Sequence, residues 1–247
     1  MGKTPISLLR GITFAAAGIA VGTLGVYAMP AVTAFGPLRR TFLPDLAGLS
    51  DSRSIALTFD DGPDVRSTPL FLEKLSELGW NATFFMLGDM AIRAPSLVAE
   101  VAAAGHEIAV HGYHHTNLLR MSPRATDGDI RRAQDLLSEL SGVAPRFYRP
   151  PYGVLNLQAL LTAHSVGLTP VLWSAWGRDW RAKATPSTVM ADLSRGIRSG
   201  ATLLLHDSDC TSTPDSFRST LGALDLLRIE LLQSDLSIER LCDHFRG

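Results

Sequence analysis

From Ser54 onward the chain alternates short runs rich in β-branched and aromatic residues with longer runs whose apolar residues recur at helical spacing, and this alternation limits the fold more than any other feature. The predicted strands are SIALTF (54–59), ATFFML (82–87), EIAVHG (107–112), RFYRP (146–150), TPVLWS (169–174), ATLLLHD (201–207) and LSIERL (236–241). Between them lie helical segments such as STPLFLEKLSELG, TDGDIRRAQDLLSELSG and SFRSTLGALDLLRIELLQ, most of them ending in a glycine suited to a helix C-cap. Strands and helices in this order build right-handed βαβ units on a parallel sheet, and about seven units favour a closed or nearly closed β/α barrel over an open sheet.

The 247 residues, 46% of them hydrophobic, suffice for one large core, and a formal charge of -1 from interspersed acids and bases excludes an electrostatic nucleic-acid surface. Cys210 and Cys242 lack CxxC spacing, which excludes a cysteine zinc site and a disulfide-stapled scaffold but leaves one bridge or two free thiols open. Residues 11–38 carry no charge and are long enough to cross a bilayer of about 30 Å at about 1.5 Å per residue. The expected division is therefore a signal-anchor over 1–38, a linker over 39–53 and one folded domain over 54–247. An anchor would hold the domain at the cell membrane, outside the cytoplasm. A cleaved signal peptide, with small residues at Val32–Ala34, is the rival and would release it.

In β/α folds functional groups collect where strands end. Asp60 and Asp61 follow the first predicted strand, His111 and His115 the third, Arg149 and Tyr152 the fourth, Asp179 and Trp180 the fifth, His206 and Asp207 the sixth. Adjacent carboxylates repel, so Asp60 and Asp61 suit a site holding a cation. His111 and His115, four residues apart, fall on one side of a helical turn and can share a metal, whereas His114 should point elsewhere. Asp64, Asp207 and Asp209 read as cap or turn residues, His106, His164 and His244 as surface or structural, and Trp173 as core.

The motifs TFDDGP, HGYHH, RPPYG, GRDW and LLLHD, in this order, resemble the five motifs of the polysaccharide deacetylases, carbohydrate esterase family 4, with the NodB homology domain. The resemblance covers roughly Arg53 onward. It implies a distorted (β/α)7-type barrel and metal-dependent hydrolysis of the linear amide bond of an N-acetylated amino sugar in a peptidoglycan- or chitin-like glycan. By that resemblance Asp60 is the general base, and Asp61, His111 and His115 hold a divalent metal, usually Zn2+, with other divalent ions also accommodated. Arg149 holds the base, the Tyr152 N–H faces the oxyanion, Asp179 orients the general acid His206, and Trp180 and Leu204 wall the acetyl pocket. One position departs: the usual DxxDW begins here with Trp176, which predicts an aromatic surface near the substrate cleft.

The residue types sustain the same chemistry. Two histidines and one aspartate leave metal positions open to a water and the acetyl oxygen, while a second carboxylate and a third histidine supply base and acid. An O-acetyl sugar esterase or a hydrolase of small non-sugar amides could use the same groups. A silent glycan-binding module would need neither base nor acid.

Overall fold

The structure, a computed structural model, describes residues 24–245. Eight strands form one sheet: β1 (Ile55–Asp60), β2 (Thr83–Met86), β3 (Glu107–Val110), β4 (Phe147–Tyr148), β5 (Thr169–Pro170), β6 (Ala175–Trp176), β7 (Thr202–His206) and β8 (Ile238–Glu239). Every pairing is parallel, in the order β5-β4-β3-β2-β1-β7-β6, with β8 paired to β1 outside that path. All six residues of β1 are buried, as befits the middle of a parallel sheet covered on both faces. Helices over Thr68–Leu78, Pro95–Ala103, Pro123–Ser141, Leu157–Ser165, Pro186–Ser194 and Phe217–Leu232 occupy the segments with helical spacing. Gly79 and Gly142 end two of these helices in the left-handed conformation. Ser122 starts the helix that Gly142 ends, and Asn156 starts the next one, each by accepting a backbone N–H. The helices pack Phe71, Leu75, Val98, Ile130, Leu137, Leu193 and Leu227 against Leu57, Phe59, Phe84 and Leu205 of the sheet.

The sheet curls into a distorted barrel that does not close, since β5 and β6 form its two ends. This corrects the expected strand over 169–174. Strand pairing stops after Pro170 because the carbonyls that follow serve arginines: Val171 and Leu172 accept from Arg149 Nε and Nη2 (3.3 and 2.8 Å), and Trp173 accepts from Arg39 Nη2 (2.9 Å). The chain then re-enters the sheet as β6.

A segment expected to stand apart lies against that opening. Arg39 is buried, Arg40 Nη1 donates to the Ser174 carbonyl (3.2 Å), and Leu172 N–H donates to the Leu46 carbonyl (2.8 Å). Further on, Ser50 N–H donates to Gly200 and Thr202 Oγ1 to the Gly48 carbonyl (3.1 and 2.6 Å). Residues 39–53 are thus part of the folded body and not a free linker, because they satisfy backbone groups that the unclosed sheet leaves over. Tyr27 is engaged as well: its hydroxyl donates to the Met121 carbonyl (3.0 Å) and accepts from buried Asn156 Nδ2 (2.6 Å). Of the expected anchor, residues 1–23 lie outside the described residues. Among the described residues no helix is long and apolar enough to cross a membrane.

Candidate active site

The ends of β1, β3, β4 and β7 and the loops after them enclose a cavity of about 230 Å³ lined by Asp60, Asp61, His111, His115, Tyr152, Trp180, Leu204 and His206. Arg149 and Asp179 sit directly behind it. Every residue that sequence reasoning assigned to the site is therefore in one place.

The carboxylate pair is resolved by the backbone. Strand alternation would send consecutive side chains to opposite faces. Asp61 escapes this with φ of 80°, a left-handed conformation unfavourable for a residue with a Cβ, so that both carboxylates face the rim. Gly62 follows where the chain passes Asp207 so closely that a Cβ would overlap its carboxylate oxygens.

Asp60, 3% exposed, accepts a hydrogen bond from Arg149 Nη1 at 2.6 Å. Arg149 is wholly buried, also donates to Thr58 Oγ1 (2.8 Å), and lies 3.9 Å over the Phe85 ring. Burial lowers its pKa, opposed by Asp60. Asp61 has its Oδ1 3.4 Å from Nε2 of both His111 and His115, while its Oδ2 accepts from Thr211 Oγ1 at 2.6 Å. Burial acts to raise the Asp61 pKa, but the imidazoles of His111, His206 and His115 around it outweigh burial and hold the carboxyl well below its usual range.

Four observations show that Asp61, His111 and His115 fit a divalent metal. Their ligand atoms lie within 4.8 Å of one another, and the buried Asp61 Oδ1 has no hydrogen-bond partner. His111 Nδ1 is 2.8 Å from the Arg149 carbonyl, which can only accept, so the proton is on Nδ1 and the Nε2 lone pair faces Asp61. Burial, opposed by the Asp61 carboxylate and reinforced by His111, brings the His115 pKa down to about 4, which keeps its imidazole neutral as a ligand must be. His114 instead is exposed beside Asp89, as its sequence position implied.

Opposite the triad, His206 Nδ1 is 2.7 Å from Asp179 Oδ1, and Asp179 Oδ2 accepts from the His206 N–H and Thr220 Oγ1, both at 2.8 Å. Burial works to lower the His206 pKa, but Asp179, then Asp61 and Asp60, push it up to about 10. This imidazole is therefore protonated at neutral pH.

Aromatic rings complete the wall. Trp176 stacks on Trp180 with centroids 4.5 Å apart, and Tyr152, at φ of 60°, sets its ring 4.5 Å from that of His115. Trp176, where the motif departs, lines the cavity as expected. Trp173 is not a core residue: half-buried, it also lines the cavity, and Gly153, at φ of 67°, passes so near that a Cβ would meet the indole at 2.6 Å.

Sequence reasoning missed Thr211 and Asp129. Asp129 accepts the Tyr113 and His114 N–H groups (2.8 and 3.1 Å) and so shapes the turn that presents His115. It sits within a helix, and Thr211 in an irregular loop, so neither carries a periodicity or motif signal. Asp207 was read as a cap or turn residue. It is 1% exposed and accepts from Thr68 Oγ1 (2.5 Å), bracing the turn after Asp61 from beneath. His106 and His244 are buried and structural. No disulfide joins Cys210 to Cys242.

With this geometry in hand, comparison with known proteins gives a consistent result. Residues 48–171 match the polysaccharide deacetylase family. The chain is 34% identical over 180 residues to a peptidoglycan-N-acetylglucosamine deacetylase of Bacillus cereus, covering 72% of this chain and 63% of that protein, less than two thirds of its length. It is 40% identical over 164 residues to a chitooligosaccharide deacetylase of Rhizobium leguminosarum bv. trifolii, covering 66% of this chain and 75% of that one. Among solved structures, it superposes on the Bc1960 peptidoglycan N-acetylglucosamine deacetylase, crystallised with 4-naphthalen-1-yl-N-oxidanyl-benzamide, with a TM-score of 0.75 and 29% identity. That match covers 84% of this chain and 96% of the other.

Proposed function

The chain belongs to the polysaccharide deacetylase family, and from that premise we propose that it hydrolyses the N-acetyl groups of an amino-sugar glycan, of peptidoglycan or chitin type, with the help of a divalent metal. The observation that carries this reading is the pairing within one cavity of an arginine-bound carboxylate, Asp60, and a carboxylate-bound imidazole, His206, on either side of the Asp61, His111 and His115 triad.

When bound by Asp61, His111 and His115, a divalent ion, Zn2+ by the nature of the donors, acidifies water and polarises an acyl oxygen. The remaining work belongs to the chain. Asp60, against which the Arg149 guanidinium is fixed, takes the proton of the attacking water. As the acetyl carbon becomes tetrahedral, the Tyr152 N–H is the backbone donor assigned to the developing oxyanion. His206, protonated through Asp179, gives its proton to the departing amine, so that the C–N bond breaks to free amine and acetate. Trp180, Leu204 and Trp176 form an apolar wall against the acetyl methyl and the sugar face.

The apolar stretch over residues 11–38 supports tethering of this domain at the outer side of a membrane. Leu24, Val26, Met29, Val32 and Phe35 keep exposed apolar side chains just ahead of the folded body. Acetate release from chitin oligomers, peptidoglycan and acetylated xylan, with and without chelator, tests the whole reading. Release from the amino-sugar polymers, abolished by chelation and restored by Zn2+, is the expected result. Release from xylan alone would replace the amidase reading with that of an esterase, and chelator-insensitive release would remove the metal from the reaction.

A further inference from the structure

Beside the active-site cavity lies a second one of about 390 Å³, and Trp173 and Trp176 form a wall common to both. Its lining carries four guanidinium groups, Arg39, Arg40, Arg178 and Arg195, against one carboxylate, Asp192. Asp192 is already engaged by Arg181 and Arg195 at 2.5 and 3.0 Å. No carboxylate among the described residues pairs with Arg39, Arg40 or Arg178, and residues 1–23 contain no Asp or Glu.

Arg39 makes this arrangement unusual. It is 3% exposed, its two terminal nitrogens are held only by the Thr33 and Trp173 carbonyls (2.8 and 2.9 Å), and its Nε has no partner. Burial first, then the like charges of Arg149 and Arg40, bring its pKa down to about 10. A buried guanidinium held by two carbonyls and the Trp173 ring, with no carboxylate partner and with other cations beside it, is costly, and an anion in the adjoining space would relieve that cost. The space is far larger than one carboxylate needs, given about 30 Å³ for each water-sized group, so it suits a substituent of several heavy atoms that ends in an acid.

We propose that this cavity is a subsite for a carboxylate-bearing arm of the glycan, an inference that rests on the deacetylase reading above. A sugar held at the triad against Trp176 projects its substituents past the shared indole wall toward Arg40 and Arg178. Exposed guanidinium groups there bind a carboxylate in bidentate fashion, with Arg39 supplying charge from behind. The subsite thereby favours an acid-bearing amino-sugar polymer, as peptidoglycan is, over a neutral one such as chitin. Arg39 and Arg40, from the segment laid over the barrel opening, and Arg178, from the loop after β6, all lie outside the family match at residues 48–171.

The test uses the full metal-loaded chain. Binding of deacetylated glycan fragments is measured by calorimetry, and kcat/KM for acetate release is measured on their acetylated counterparts. Each is done for fragments carrying an acidic peptide arm, for the same fragments with the carboxylates amidated, and for neutral oligomers of equal length. The wild type should prefer the acidic arm over the amidated one by about tenfold or more. In Arg40→Gln/Arg178→Gln that ratio should fall to within about twofold, with the thermal midpoint unchanged, and Arg40→Lys/Arg178→Lys should restore part of it. Equal binding of acidic and amidated fragments by the wild type, or an undiminished ratio in the glutamine variant, would overturn the subsite. So would inorganic phosphate that competes as well as the whole acidic fragment, since the arm would then contribute nothing. Acetate release without the preference sinks the subsite alone; the preference in binding without acetate release from any glycan sinks the deacetylase reading and supports the subsite.

Discussion

Asp60 and Asp61 share a peptide bond, yet one is neutralised by a buried arginine and the other faces the Nε2 atoms of two imidazoles. Their isosteric variants should therefore part company. Asp60→Asn should retain the metal and lose about 10²- to 10⁴-fold in kcat, the usual worth of a general base. It should also lower the thermal midpoint, because Arg149 is left buried without a charge partner. Asp61→Asn should chiefly lose metal. Metal analysis with acetate-release kinetics decides, and equal metal loss in both would end this division of labour. Asp207 offers a second test. Burial, reinforced by Asp61, raises its carboxyl to about 7, and its Oδ1 has no partner. Between the ordinary carboxylate value near 3.8 and about 7 the native protein holds a proton that the unfolded chain has released, so stability falls as pH rises through that window. Asp207→Asn should flatten this slope. The variant's thermal midpoint, measured with chelator present, should gain on wild type from pH 5 to pH 8, at about 2 to 4 °C for each kcal/mol of relief. A gap that stays constant with pH would show that Asp207 does not titrate there. The motif identified the Asp60 and Asp61 positions from residue type and order, but nothing in the string marks Asp207 as buried, since an aspartate after a strand reads equally well as a turn.

At the scale of elements, the segment from Tyr27 to Ser50 behaves as a strap over the gap between β5 and β6. A chain starting at residue 24 keeps the Tyr27, Arg39 and Leu46 contacts. One starting at residue 44 loses the first two, exposes the Trp173 and Ser174 carbonyls and strips Asn156 of its Tyr27 partner. The shorter chain should have a thermal midpoint several degrees lower, with lost hydrogen bonds to buried groups worth about 1–3 kcal/mol each. Equal midpoints would reduce the strap to a passive leader. Single-strand expectation failed over 169–174 for the same reason. TPVLWS has the residue types of a strand, but its carbonyls are taken by two arginines, 22 and 134 positions distant. A competition between a ladder partner and a guanidinium that remote leaves no local trace in sequence.

For the molecule as a whole, metal occupancy should couple to stability, because the residues that would hold the ion come from the end of β1 and the loop after β3. An excess of Zn2+ at about 100 times its dissociation constant stabilises the native state by about 2.7 kcal/mol. Chelation should then lower the thermal midpoint of wild type and of Asp60→Asn alike, and should leave His111→Ala unmoved. A chelator shift that persists in His111→Ala would place the ion elsewhere. The sequence by itself determined the parallel α/β class, since alternating periods of two and 3.6 bury apolar faces only around a shared sheet. It also brought Asp60, Asp61, His111, His115, Arg149, Asp179 and His206 to one edge of the sheet, because each falls at or shortly after the carboxyl end of a strand. Only the tertiary structure decided that the barrel stays open between β5 and β6, that residues 39–53 belong to the folded body, and that Thr211 holds Asp61 while Asp129 shapes the turn before His115. These outcomes depend on contacts between groups far apart in the chain. Backbone donors and acceptors left over by one element are satisfied by whichever remote group packs there, and local pattern does not record which that will be.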